Sequence, residues 1–155
     1  MTIRLPTAEL TFDQLKTGDR FSLGTQRITR EEVIEFASKY DPQPFHLDDA
    51  AAAASPIFER LSASGWHSVM IMNLMLDRLW KGTSVRGLAG GGVDEIRWAA
   101  PVYPDDVLAG TLELVSIRQS TSRPERSIMT MRTTLRTQDE RDVVTMVITG
   151  IFANQ

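Results

Sequence analysis

The stretch that decides the fold is Trp66–Trp80, WHSVMIMNLMLDRLW, in which ten of the 15 side chains are large and apolar. We predict one long helix here, opened by Gly65. A helix that is apolar nearly all round is buried on most of its sides. The rest of the chain must therefore wrap around it.

The residues before this helix predict a strand, a capped helix and a stiff loop. Arg20–Ile28 can form the strand. Thr29 and Glu32 then have the spacing of a capping box, and apolar residues follow at helical spacing. The helix ends before Pro42 and Pro44, because the residue before a proline avoids the α region.

The residues after the long helix predict an antiparallel sheet. Gly90–Gly92 is interpreted as a turn. Short polar or proline-containing turns separate segments that are rich in β-branched residues or alternate at period two, namely Val93–Trp98, Val107–Ile117, Ser127–Thr137 and Asp142–Phe152. An antiparallel sheet curled around one buried helix is an α+β architecture, the hot-dog arrangement.

Length and composition predict one domain over residues 1–155, with residues 1–18 as an irregular N-terminal segment. Cysteine is absent, which excludes disulfides and thiolate metal sites. The net charge of -3 provides no basic field for nucleic acid. The pattern of the sequence predicts neither a signal peptide nor a membrane-spanning run. We therefore expect a cytoplasmic protein that binds neither nucleic acid nor membrane.

The segment between the two helices carries the candidate chemistry. Asp41 and His46 lie on a loop stiffened by two prolines, and His46 is one of only two histidines. Fixed positions are what a general acid–base pair requires. A helix C-cap and a surface histidine would explain the same two residues. Two histidines without an acidic cluster predict no metal site.

The run Asp41-Pro42-Gln43-Pro44-Phe45-His46, followed by Ser62-Ala63-Ser64-Gly65-Trp66-His67, resembles the hydratase-2 motif of the MaoC-like family. Pro101–Asp106 resembles that family's Pro-Val-x-Pro-Gly-Asp turn, with Asp105 replacing the usual glycine. The resemblance covers about Phe21–Phe152. It implies a hot-dog fold, usually dimeric, that acts as an (R)-specific enoyl-CoA hydratase or 3-hydroxyacyl-CoA dehydratase. A CoA or acyl-carrier thioester is then the substrate, and no further cofactor is needed.

The resemblance also implies roles for single residues. Asp41 and His46 match the catalytic pair, which would hold one water. Gly65 matches the glycine whose backbone N–H binds the thioester oxygen, and Ser64 and Trp66 flank it as substrate contacts. Asn73 stands where the family often has a serine near the pair. Gly65 could instead merely start a tightly packed helix, and Asn73 could be a satisfied core amide.

Two further features have weaker support from sequence. Arg123 and Arg126 could bind CoA phosphates, although a solvated hairpin turn explains them equally well. His67 is interpreted as a partly buried structural histidine.

Two other functions compete with the hydratase. A hot-dog thioesterase would use a carboxylate on or near the central helix, but the only acid on that helix, Asp77, lies far down its length. A non-catalytic acyl-thioester binding module would keep the fold without the chemistry. The sequence does not reveal the acyl chain length or the physiological direction of the reaction.

Overall fold

Five antiparallel strands form one sheet in the computed structural model, which describes residues 3–154. The strand order is β1-β3-β4-β5-β2, with β1 Arg20–Arg27, β2 Gly87–Trp98, β3 Val107–Gln119, β4 Arg126–Arg136 and β5 Asp142–Ala153. The helices are α1 Arg30–Tyr40, α2 Asp49–Ala53 and α3 Gly65–Lys81. The predicted domain includes Met1, Thr2 and Gln155, which lie outside the described residues.

Helix α3 packs one face against the sheet, and this contact forms the core. The helix contributes Val69, Ile71, Met72, Met75, Leu76 and Leu79, all buried. The strands contribute alternate residues, so that the inward positions of β4 are buried and the outward ones are not. The predicted α+β hot-dog arrangement is therefore confirmed.

The opposite face of α3 is open in the single chain. Trp66, Met70 and Leu74 are 53%, 49% and 43% exposed. The expectation that the helix is buried on most sides is wrong for one chain, because five strands cover only one side of it. Within residues 3–154, none of the helices is long and apolar enough to cross a membrane.

The glycine run is part of a strand rather than a turn, which corrects the prediction. Gly90 pairs with Gly150 and Gly92 pairs with Thr149 in the ladder between β2 and β5. A Cβ on Gly91 would lie 3.2 Å from the Thr149 side chain and carbonyl oxygen. Glycine lets the two strands approach closely and accommodates the irregular register of this edge strand.

The predicted capping box of α1 is confirmed. The Thr29 hydroxyl accepts from the Glu32 N–H at 3.2 Å, and the Glu32 carboxylate accepts from the Thr29 N–H at 2.8 Å. At the other end, Asp41 is the C-cap, with its N–H donated to the Ala37 carbonyl. A short 3-10 turn over Pro44–His46 follows directly. The loop between Asp41 and His46 is thus held at both ends.

Helix α1 packs on α3 through two stacked rings. The Phe36 and His67 ring centroids are 4.6 Å apart and the planes differ by 5°. The His67 Nδ1 atom is buried and has no hydrogen-bond partner within residues 3–154. Burial lowers the pKa of His67 below its ordinary value of 6.5, and the Glu32 carboxylate opposes this shift. The fold therefore favours a neutral His67 ring.

Replacing His67 with Phe should make the fold less sensitive to acid. Because the pKa of His67 is lower in the folded chain, the unfolded chain takes up the proton first as the pH falls below 6.5. The stability of the wild type is then lost progressively down to the folded pKa. Urea unfolding at pH 8 and pH 5.5 should show that the free energy of unfolding falls less for His67→Phe than for the wild type as the pH is lowered. An equal difference at both pH values would contradict this.

Candidate active site

A cavity of about 360 Å³ opens where the loop after α1, the start of α3 and the end of β2 meet. Its lining combines two ionisable side chains with a mainly apolar wall. The lining residues are Asp41, His46, Ile57, Phe58, Ala63, Gly65, Trp66, Ser68 and Trp98–Val102.

His46 is buried and held in one orientation. Its Nδ1 atom lies 2.7 Å from the Ser62 carbonyl oxygen. A carbonyl oxygen only accepts hydrogen bonds, so Nδ1 carries the proton and the neutral ring has its lone pair on Nε2. The Nε2 atom lies 3.6 Å from the Asp41 Oδ2 atom. The ring packs edge-on against Phe45 at 4.6 Å.

Asp41 is tied to the start of α3 by one hydroxyl group. The Ser64 hydroxyl donates to the Asp41 Oδ2 atom at 2.7 Å and accepts from the Trp66 N–H at 3.2 Å. Ser64 is thus both the N-cap of α3 and a hydrogen-bond donor to the Asp41 carboxylate. The positive end of the helix dipole also stabilises negative charge at this position.

Gly65 presents an unused backbone donor beside this pair. Its N–H is the first of α3 and finds no acceptor within the part of the chain that the structure describes. A Cβ at Gly65 would lie 2.5 Å from the Trp98 Nε1 atom. The glycine therefore permits close packing with Trp98 and also leaves an unused donor on a residue that lines the cavity, so both interpretations from sequence have a structural basis.

The structure brings together most of the predicted site residues but excludes Asn73 from the cavity. Asp41, His46, Gly65 and Trp66 line the cavity, and Ser64 is buried behind it. The expectation that Asn73 is buried near the pair is wrong for one chain. Eight residues carry it about 12 Å along the helix and turn it from the Gly65 face, and it is exposed on the open side of α3.

Arg123 and Arg126 lie far from the catalytic pair in the same chain. Arg126 pairs with Ala153 where β4 begins, and the neighbouring Phe152 packs against Trp80 near the end of α3. The 17-residue helix separates this end from Gly65 by about 25 Å. Arg126 also forms an ion pair with Glu125 at 3.3 Å. Their role in CoA binding stays a prediction.

Three residues of the site carried no assignment from sequence. Ser62 fixes the His46 ring, Ser68 is buried in the cavity wall one turn after Gly65, and Trp98 covers Gly65. The Ser62 contact uses a backbone carbonyl, which any residue supplies, so no sequence signal marks it. The spacing of Ser68 from Gly65 could have placed it on the same helix face.

The arrangement suits proton transfer next to an electrophilic carbonyl. A carboxylate and an imidazole face one space, and a helix N-terminus supplies a donor for developing negative charge. Among residues 3–154, no group of three or more His, Cys, Asp or Glu side chains could hold a metal ion.

Known proteins are similar to this chain in sequence or in fold. The chain is 32% identical to a MaoC-like dehydratase from Rhodospirillum rubrum, with a TM-score of 0.80, covering 94% of this chain and 98% of that one. An (R)-hydratase from A. caviae involved in PHA biosynthesis is 26% identical, with a TM-score of 0.70, covering 88% and 96%. The uncharacterized protein YdeM of Bacillus subtilis is 26% identical over 84% of this chain and 89% of its own length.

The family model described as "MaoC like domain" matches residues 14–137, which include the loop of Asp41 and His46, the start of α3 and four of the strands. The chain therefore belongs to the MaoC-like domain family.

Proposed function

We propose that this protein is an (R)-specific enoyl-CoA hydratase that also runs in reverse as a 3-hydroxyacyl-CoA dehydratase. The observation that carries this proposal is the 3.6 Å approach of the Asp41 Oδ2 and His46 Nε2 atoms beside the unused Gly65 N–H. The likeness to the (R)-hydratase from A. caviae supports the same reaction.

The reaction consumes one water in the hydration direction. The water oxygen forms a bond to C3 of the trans-2-enoyl thioester, and one water proton passes to the Asp41–His46 pair. The electron pair of the C2=C3 bond moves toward C2 and the thioester oxygen. C2 then takes a proton from the pair on the same face, which restores the pair. The two residues share the acid and base roles, because neighbouring groups titrate together.

The helix N-terminus supplies the electrostatic part of this mechanism. Negative charge develops on the thioester oxygen as water adds to C3. The Gly65 N–H at the positive end of α3 would donate to that oxygen. The substrate itself carries the CoA group, so the proposal includes no separate cofactor. It includes a cytoplasmic location, since CoA thioesters are intracellular metabolites.

The thioesterase alternative gains no support from Asp77, the acid on α3. Asp77 is paired with Lys81 at 2.8 Å and is half-exposed near the end of α3. It does not line the cavity of the catalytic pair.

Hydration of trans-2-enoyl-CoAs of several lengths, followed as loss of the conjugated enoyl-thioester absorbance, tests the proposal. Asp41→Asn and His46→Ala should each lower kcat by about 100-fold or more, the usual contribution of a general acid–base group. Asp77→Asn is the matched control and should leave the rate unchanged, because its side chain lies outside the cavity.

The other outcomes separate the alternatives. Release of free thiol by the wild type would favour the thioesterase. Neither hydration nor thiol release at any chain length would favour the binding module.

Ser64→Ala should lower kcat by about tenfold to 100-fold with little change in KM, since a hydrogen bond to a charged group contributes about 1.5–3 kcal/mol. The loss of an N-cap will also lower Tm. Asp48→Ala, which removes the N-cap of α2, controls for that effect and should lower Tm without lowering kcat. If both variants lose activity in proportion to Tm, Ser64 acts through stability alone.

We also propose that the protein is a homodimer whose interface includes the edge strand β2 and the open face of α3. Strand β2 pairs with β5 on one side only, and the open side of a long edge strand is a natural site for pairing with a second copy. Large apolar side chains are exposed on both elements, namely Met70 and Leu74 on α3 and Leu88 and Val93 on β2. Burying them in a symmetric interface would remove this apolar surface from water.

Gel filtration with light scattering should give a mass about twice the 17.3 kDa of one chain. The double change Met70→Glu and Leu74→Glu should yield a monomer, because buried unpaired charges are costly. Leu5→Glu is the control, since Leu5 is 77% exposed and lies outside the open face of α3. A monomeric wild type would disprove the interface.

A further inference from the structure

Trp98 occupies a fixed position at the mouth of the cavity. It ends β2, where it pairs with Val144, and the next N–H, that of Ala99, donates to the Val143 carbonyl at 2.9 Å. Its ring meets the Trp66 ring edge-on at a centroid distance of 5.2 Å. The backbone and a neighbouring ring thus hold a side chain that is 47% exposed.

The pyrrole nitrogen of Trp98 is the ring atom nearest to the position that a Cβ on Gly65 would occupy. A Cβ built on Gly65 would lie 2.5 Å from Nε1 and 2.8 Å from both Cδ1 and Cε2. With ring N–C bonds of about 1.4 Å, these distances place that Cβ position above the face of the ring, over its nitrogen. The indole N–H lies in the ring plane, so it does not point at that Cβ position.

One backbone donor, the Gly65 N–H, and one side-chain donor, the Trp98 indole N–H, are therefore close together. A Cβ lies about 2.5 Å from the nitrogen of its own residue, so the Gly65 nitrogen and the Trp98 Nε1 atom are separated by at most about 5 Å. One oxygen accepts from both if the two N–H bonds point to a common position, because N–O distances of about 2.9 Å can then span nitrogens up to about 5.8 Å apart. Neither N–H has an acceptor among residues 3–154.

We propose that the Trp98 indole N–H is a second donor to the thioester oxygen, alongside the Gly65 N–H. This inference rests on the proposed hydratase function and names a further catalytic residue for it. Charge develops on that oxygen in the transition state, and paired donors that are already in place stabilise it without reorganisation. Tryptophan suits this position because its nitrogen only donates.

Trp98→Phe tests the donor because it keeps an aromatic ring and removes the N–H. Hydration of a trans-2-enoyl-CoA should slow on the order of 100-fold in kcat, the usual effect of losing one such donor. Trp80→Phe makes the same chemical change at the far end of α3, where the ring packs on Phe152. It should keep the wild-type kcat.

A second measurement does not require turnover. Wild-type protein carrying 15N-labelled tryptophan is titrated with butanoyl-CoA, which has the thioester carbonyl but no double bond to hydrate. The Trp98 indole proton, assigned from the Trp98→Phe spectrum, should move downfield as it forms a hydrogen bond. S-butyl-CoA, a thioether of the same length without the carbonyl, should not produce that shift.

The outcomes distinguish this inference from the proposed function. An active wild type whose Trp98→Phe variant stays within twofold in kcat would overturn the role of Trp98 alone. Lost activity without a carbonyl-dependent shift would also overturn it, because the ring would then act only by packing. An inactive wild type would overturn the hydratase, while the indole shift would still decide whether Trp98 binds the carbonyl.

Discussion

The hydrogen bond from the Ser64 hydroxyl to the Asp41 carboxylate is the contact on which the site depends. Asp41 ends α1 and Ser64 caps α3, so this bond joins two elements that are far apart in sequence. The same hydroxyl also satisfies the Trp66 N–H. Helix geometry and carboxylate position are therefore set together, and the unused Gly65 N–H is placed beside the acid–base pair as a result.

Local patterns predicted much of the fold because their causes are local. The Thr29–Glu32 capping box and the alternation along β4 follow from side chains a few residues apart. The loop of Asp41 and His46 was predicted as a rigid site for the same reason, since two prolines stiffen it. The helix N-terminus at Gly65 was also placed correctly.

The remaining features depend on contacts between distant segments. Gly90–Gly92 has the composition of a turn, and only its pairing with β5 makes it a strand. Asn73 was expected to be buried because its neighbours are apolar, yet those neighbours include the exposed Met70 and Leu74. The mainly apolar composition of α3 predicts a helix that is covered on most of its sides. It does not indicate that one chain supplies all of the cover.

The contact between Gly65 and Trp98 constrains how this sequence can evolve. Any side chain at position 65 would collide with the indole ring, so even an alanine there requires the ring to shift or to become smaller. The effects of changes at the two positions are then non-additive, and a smaller residue at position 98 must come before a larger one at position 65. Two residues separated by 33 positions in the chain thus form one unit of epistasis.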